Sequence, residues 1–171
     1  MIKKHIFFVD AETDGLYGPF LSVAAIVTDG SAIKDRFYAA LEVKIDQIES
    51  SWVRENVFAH LKNAELYFKS ENEMLEAFWD FWIKHRSTAE AIAYVPFPVE
   101  SRLFERCVRL DVHNREFFGP FPLYDLASVI VSRGFDSDID MPTFSGLNLP
   151  PHDAMNDVLM EAAVWKIIFK K

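Results

Sequence analysis

The chain opens on an apolar run, His5 to Asp10 (H-I-F-F-V-D), whose unbroken hydrophobic centre predicts a buried strand. Phe20 to Thr28 predicts a second strand, with Gly15, Gly18 and Pro19 as punctuation between the two. Asp29-Gly30 signals a hairpin, and the alternation over Arg36 to Ile45 predicts a third strand, which makes an antiparallel meander. The period then lengthens. Ser50 or Ser51 caps a short helix through Leu61, and Ser70 with Glu73 forms a capping box ahead of M-L-E-A-F-W-D-F-W-I. Ala89 to Val95 is again strand-like, and Pro98 suits the first turn of a helix running to about Leu110. Tyr124 to Arg133 predicts a helix stopped by Gly134, the stretch Asp136 to Pro151 a loop, and Asp153 to Phe169 a last helix. The pattern predicts an α/β fold: a mixed central sheet, three antiparallel strands and then a parallel one, flanked by helices. With no repeat and no linker, residues 1–171 form a single domain in this reading.

Composition narrows the function classes. Half of the 171 residues are hydrophobic and 15% are aromatic, enough for a sizeable core and against long disordered stretches. The longest apolar runs, such as Phe20 to Val27, fall well short of the roughly 20 residues a membrane span needs, so no membrane partner is expected. Met-Ile-Lys-Lys-His leads straight into the first strand without the pattern of a secretory signal, and Cys107 is the one cysteine; both features favour the cytoplasm. Cys107 reads as a small buried hydrophobe on a helix. The net charge of −8 argues against a protein that coats nucleic acid through a broad basic face, so any nucleic-acid contact must be local.

Three places carry candidate chemistry. Asp10 and Glu12, two apart on a strand, point to one face. With 26 acidic residues, about one such pair is expected by chance, but this pair sits where a buried strand opens into Thr13-Asp14-Gly15-Leu16. His152 stands at a helix entrance and Asp157 five residues on, inside the helix. That division suits hydrolysis in which a fixed acid holds an ion and a loop-side imidazole takes a proton from water. The same residues also read as an ordinary helix start, with Asp153 at the positive end of the helix dipole and His152 solvated. Glu100, at the strand-to-helix junction in Y-V-P-F-P-V-E-S-R-L-F, is a further acid for the group. Carboxylate oxygens, no cysteine and one histidine favour Mg²⁺ or Mn²⁺ over structural zinc. Phe78, Trp79, Phe81 and Trp82 have the spacing of a core or of a subunit interface. His5, His60, His85 and His113 read as surface or structural.

V-D-A-E-T-D-G-L near the start, an acid after a central strand and H-D-A-M-N-D near the end together resemble the DEDDh 3′-to-5′ exonucleases, of the ribonuclease H-like fold, over nearly the whole chain. The resemblance implies two divalent ions, Mg²⁺ or Mn²⁺, held by Asp10, Glu12, Glu100 and Asp157, with His152 as general base and Glu12 at the water. It implies single-stranded RNA or DNA as the partner, held at its 3′ end by Thr13, Gly15 and Leu16, with release of nucleoside 5′-monophosphates. Phe97 either adds a stacking face for a base or is one more core phenylalanine. Asp125 matches a helix start and reads as a cap. Glu100 departs from the family, which has Asp there; Glu105 is the substitute candidate for its role. The departure leaves open a relative that binds nucleic acid with weakened catalysis, and a phosphodiesterase for dinucleotides is a third reading. Family members are often dimers, so a homodimer is compatible with the aromatic content.

Overall fold

A computed structural model describes residues 4–169; the Met-Ile-Lys start of the segment read above for a leader lies outside them. The strands are β1 (His5–Thr13), β2 (Phe20–Thr28), β3 (Ile33–Leu41), β4 (Leu66–Phe68), β5 (Ala89–Ala93) and β6 (Leu123–Asp125). The helices are α1 (Ser51–Asn56), α2 (Glu71–His85), α3 (Val99–Leu110), α4 (Val112–Arg115), α5 (Leu126–Ser132), α6 (Met141–Ser145) and α7 (Ala154–Ile168). The strands form one sheet in the order β4-β3-β2-β1-β5-β6. β1 pairs antiparallel with β2 and β2 with β3, whereas β5 runs parallel to β1, β6 to β5 and β4 to β3.

β1 therefore lies inside the sheet with a hydrogen-bonded neighbour on each side, and its alternation sorts two cores. Phe7, Val9 and Ala11 pack with α2 and α3 residues such as Phe78, Trp82 and Phe104; Phe8 packs on the other face with Val158, Ala162 and Trp165 of α7. Burying one such aromatic contributes roughly 2–3 kcal/mol. Ile6, Phe8, Asp10 and Glu12 share a face by the period of two, so the two acids look toward α7. Phe78, Trp79 and Trp82 are core, and Cys107 is buried on α3. The Asp29-Gly30 turn is present, with Gly30 at φ +88 and the Asp29 carboxylate accepting from the Ser31 and Ala32 N–H groups.

Several boundaries differ from the pattern-based reading. β1 continues to Thr13, so Asp10 and Glu12 lie within the strand, with a register irregularity after Glu12. β3 starts at Ile33 and stops at Leu41, because the chain turns away once Glu42 N–H has bonded to Phe68 O of the short parallel strand β4. α1 ends at Asn56, and Phe58–Asn63 is a 3-10 segment. β5 ends at Ala93; Val95 takes φ +51, and its N–H bonds to the Asp125 carboxylate instead of continuing a ladder. Tyr124 belongs to β6, and the following helix begins at Leu126 with Asp125 as its cap, accepting from Ala127 N and Ser128 N. The Asp136 to Pro151 stretch contains α6, ended by Gly146 at φ +73. Among the described residues, no helix is long and apolar enough to cross a membrane.

Candidate active site

Three carboxylates converge where β1 faces α7. Asp10, Glu12 and Asp157 each offer a carboxylate oxygen, and these oxygens all lie within 4.8 Å of one another. α7 brings Asp157 there because Asp153 fixes the helix start: its carboxylate accepts from Met155 N at 3.1 Å and Asn156 N at 3.3 Å, and from Asn63 Nδ2 at 2.7 Å. Asp153 is itself buried, an N-cap with a third partner. His152 precedes it at φ +63, a conformation that costs a non-glycine residue energy, in the bend before the helix. Its imidazole meets the Trp52 ring edge-on at 4.7 Å.

Glu100 is not among the three clustered acids. It starts α3, is 4% exposed, and its Oε1 accepts from the Ala11 N–H at 3.2 Å, between the two β1 acids. Glu105 lies elsewhere: it pairs with Arg109 on the exposed side of α3. A buried acid that the sequence reading passed over is Glu161, one turn beyond Asp157 and 1% exposed, whose Oε1 accepts from the Tyr94 N–H at 3.2 Å. Its signal was present: a lone carboxylate inside the apolar stretch L-M-E-A-A-V-W, at i+4 from Asp157.

The electrostatics follow from burial and crowding. Asp10 is held well above the usual carboxylate range by burial first and then by the charges of Asp157, Glu12, Glu100 and Glu161. Burial, then Asp157 and Asp153, push Glu12 to about 8. Glu100 also rises to about 8, chiefly through burial, against the lowering effect of its backbone hydrogen bonds, including that from Ala11. Asp157 rises to about 7, burial outweighing hydrogen bonds from the His152 and Asp153 backbone. Glu161 is raised by burial and then by Glu100. His152 moves the other way, its pKa lowered by burial and by His60.

A divalent cation fits these residues. Among the described residues no lysine or arginine salt bridge reaches any of the five acids. Asp10 Oδ2 is buried with no hydrogen-bond partner, an arrangement costly for an anion unless a cation offsets it. The donors are all oxygens, which suits hard ions.

The residues expected to hold substrate surround β1's exit. Thr13 is buried at the end of the strand, and Gly15 takes φ +75 in the following turn. Gly18 closes that turn, since a Cβ there would sit 1.9 Å from Asp14 O. Leu16 is 62% exposed and Phe97 73% exposed, so Phe97 is not a core residue. No contact ties either ring or side chain to the acids, but Arg102 of α3 donates to Tyr17 O and Gly18 O, holding the Leu16 turn against the helix that follows Phe97. Asp14 accepts from Glu49 N and Ser50 N, tying the same turn to the start of α1.

No protein-family profile and no curated protein sequence matches the chain. Solved structures do. The chain aligns over 97% of its length with a zinc-bound complex of E. coli ExoI and single-stranded DNA, with a TM-score of 0.72 and 15% identity, covering 40% of that chain. Apo exonuclease I gives a TM-score of 0.65 at 15% identity, covering 97% of this chain and 42% of that one. The nuclease domain of 3′hExo, a DEDDh family member bound to rAMP, gives 0.54 at 14% identity, covering 98% of this chain and 92% of that chain. The fold is that of the DEDDh 3′-exonucleases. It is the ribonuclease H-like arrangement, and the chain spans about two fifths of the length of the exonuclease I chains.

Proposed function

We propose that this protein is a metal-dependent 3′-to-5′ exonuclease, a member of the DEDDh family that hydrolyses the last phosphodiester bond of single-stranded RNA or DNA. The observation that carries the reading is the cluster of Asp10, Glu12 and Asp157 oxygens within 4.8 Å, on a 3′-exonuclease fold and at the start of the helix that follows His152. Asp10, Glu12, Asp157 and Glu100 would hold two divalent ions, Mg²⁺ or Mn²⁺. When bound, such ions polarise water and offset the charge that builds on the phosphate. The protein's own groups do the rest. His152 has a lowered pKa and is therefore neutral at neutral pH, so its free ring nitrogen accepts the proton of the attacking water. Glu12 orients that water. Thr13, Gly15 and Leu16 hold the terminal nucleotide, and Phe97 presents an aromatic face to a base. The P–O3′ bond breaks, leaving a 3′-hydroxyl on the shortened strand and releasing a nucleoside 5′-monophosphate.

The acidic surface restricts the grip to the strand's end, where the ions supply positive charge. The test is incubation with 5′-labelled single-stranded RNA and DNA of about 20 nucleotides, and with a dinucleotide, in Mn²⁺, Mg²⁺ or EDTA. The expected result is a metal-dependent ladder shortening from the 3′ end, absent in Asp10→Ala. One observation favours a second reading, nucleic-acid binding with slow or no turnover: Glu100 Oε1 is engaged by Ala11 N–H and the residue stands outside the oxygen cluster. Intact strands together with retained Mn²⁺ binding would establish that reading instead.

A further inference from the structure

Asp10 has acids on two sides. Glu12 and Asp157 share its oxygen cluster. On the other side, β1 and β5 run parallel with Phe8 opposite Ile92, and two residues further along come Asp10 on β1 and Tyr94 just past the end of β5. Tyr94 N–H holds Glu161 Oε1 at 3.2 Å, and Ala11 N–H holds Glu100 Oε1 at 3.2 Å. Glu100 and Glu161 are thus anchored by backbone groups flanking Asp10, one from α3 and one from α7. Each anchor uses one oxygen. Glu161 Oε2 is buried without a partner, as is Asp10 Oδ2, and Glu161 is 1% exposed.

A buried carboxylate with one oxygen unsatisfied is costly, and an apolar residue at this helix position would avoid the cost. The neighbours Val158, Ala162 and Val164 show that α7 otherwise fills this layer with apolar groups. A cap for the Tyr94 N–H explains one oxygen of Glu161 and leaves the other without a role. The charges of Glu100 and Asp157 act on Glu161, and that of Glu161 acts on Asp10, so it belongs to the same electrostatic group.

We propose that Glu161 is a further carboxylate of the metal centre, offering its unpartnered Oε2 to a second divalent cation shared with Asp10, beside the Asp10, Glu12, Asp157 cluster. Five carboxylates carry more negative charge than one divalent ion offsets, and two ions bring the group near neutrality. Glu161 keeps one oxygen on the Tyr94 N–H, which fixes the carboxylate and leaves Oε2 for the ion, while Glu100, held by Ala11 N–H, adds negative charge beside it. This inference rests on the metal-dependent function proposed above.

The test is the number of Mn²⁺ ions bound per chain at about pH 8, by equilibrium dialysis and electron paramagnetic resonance, for the wild type, Glu161→Gln and Glu161→Asp. Glutamine keeps the acceptor for Tyr94 N–H and removes the charge. The wild type is expected to bind two ions with a spin-coupled signal. Glu161→Gln should retain one, with an isolated-ion spectrum, and bind the second at least about tenfold more weakly; Glu161→Asp should fall between. Thermal unfolding in EDTA checks that the variants fold, and Glu161→Asp, which keeps the charge, carries the comparison if Glu161→Gln does not fold. Two ions bound by Glu161→Gln with unchanged affinity would reduce Glu161 to a cap for Tyr94 and overturn the inference. A single ion in the wild type overturns it too and removes the second ion from the proposed reaction, while leaving its metal dependence standing. No Mn²⁺ binding by the wild type would remove both.

Discussion

The imidazole of His152 stands edge-on to the indole of Trp52, ring centres 4.7 Å apart and planes at 80°. Trp52 lies on α1, whose start is tied by the Asp14 carboxylate to the turn that leaves β1. The proposed base is thus braced by an element anchored beside the acids. Trp52→Ala should lower kcat about tenfold with a smaller change in KM, because the ring positions the base and the strand's exit binds substrate. The indole also shields the imidazole, so its removal should move the acidic limb of the rate profile to higher pH. Steady-state kinetics across pH would show both changes, and a profile that keeps its shape would assign Trp52 to packing alone.

His152 must be neutral to accept a proton. Since burial lowers its pKa from about 6.5, the rate should rise on the acid side of that value and level off before neutrality. His152→Gln should reduce turnover by roughly 10²–10⁴-fold at neutral pH and remove that limb. A wild-type profile flat from about pH 5 to 9 would count against the role.

The crowded carboxylates should make the metal-free protein sensitive to alkali. Unfolded, these groups ionise near pH 4; folded, Asp157 does so at about 7 and Glu12 and Glu100 at about 8. Their raised values mean that the folded state holds more protons, so their contribution is fully present below the unfolded pKa and is lost as pH rises through 7 to 8. In EDTA the melting temperature should fall by several degrees between about pH 5 and 8.5. Saturating Mn²⁺ should abolish or reverse that slope, because an ion binds the ionised form. Differential scanning calorimetry with and without metal would test this, and equal slopes would rule out metal binding by these acids.

Asp153 supports the site without joining the cluster. Asp153→Ala removes the cap on the α7 N–H groups and leaves Asn63 Nδ2 unpaired, at a cost of about 2 kcal/mol. The melting temperature should drop by roughly 5 °C. Asp153→Asn, which keeps an acceptor for the helix, should lose less; equal losses would mean that the carboxylate's charge is what matters.

Much of this arrangement was written in local pattern. Asp10 and Glu12 could be paired because a strand's period of two leaves little freedom in where they point, and Asp157 because its helix was unmistakable. The capping box at Ser70 and Glu73 formed as read, since both hydrogen bonds are local. The remainder depended on contacts remote in sequence. β4 and β6 have three residues each, too few for a period to show, and they exist because β3 and β5 offer them open edges. Glu161 stands out locally as a lone acid in an apolar stretch, but its place beside Asp10 shows only in the bond from the Tyr94 N–H, 67 positions away. Phe97 carried no sign of its exposure, because a chain with 16 phenylalanines gives each the prior of a core residue. Glu100 was recognised as an acid near the site, but its bond to Ala11 spans 89 positions and has no local signature.

β1 is held by ladders on both edges and by packed layers on both faces, whereas His152 sits in a bend outside regular structure. Moving Asp10 or Glu12 means breaking the sheet at its middle, a transition with the free energy of global unfolding. Moving His152 breaks its contact with Trp52 and its backbone hydrogen bond to Asp157, in a bend outside the sheet. The two halves of the proposed chemistry therefore belong to different tiers of local stability. Mild heat or denaturant would disturb His152, with Asp157 beside it, before it moves Asp10 and Glu12.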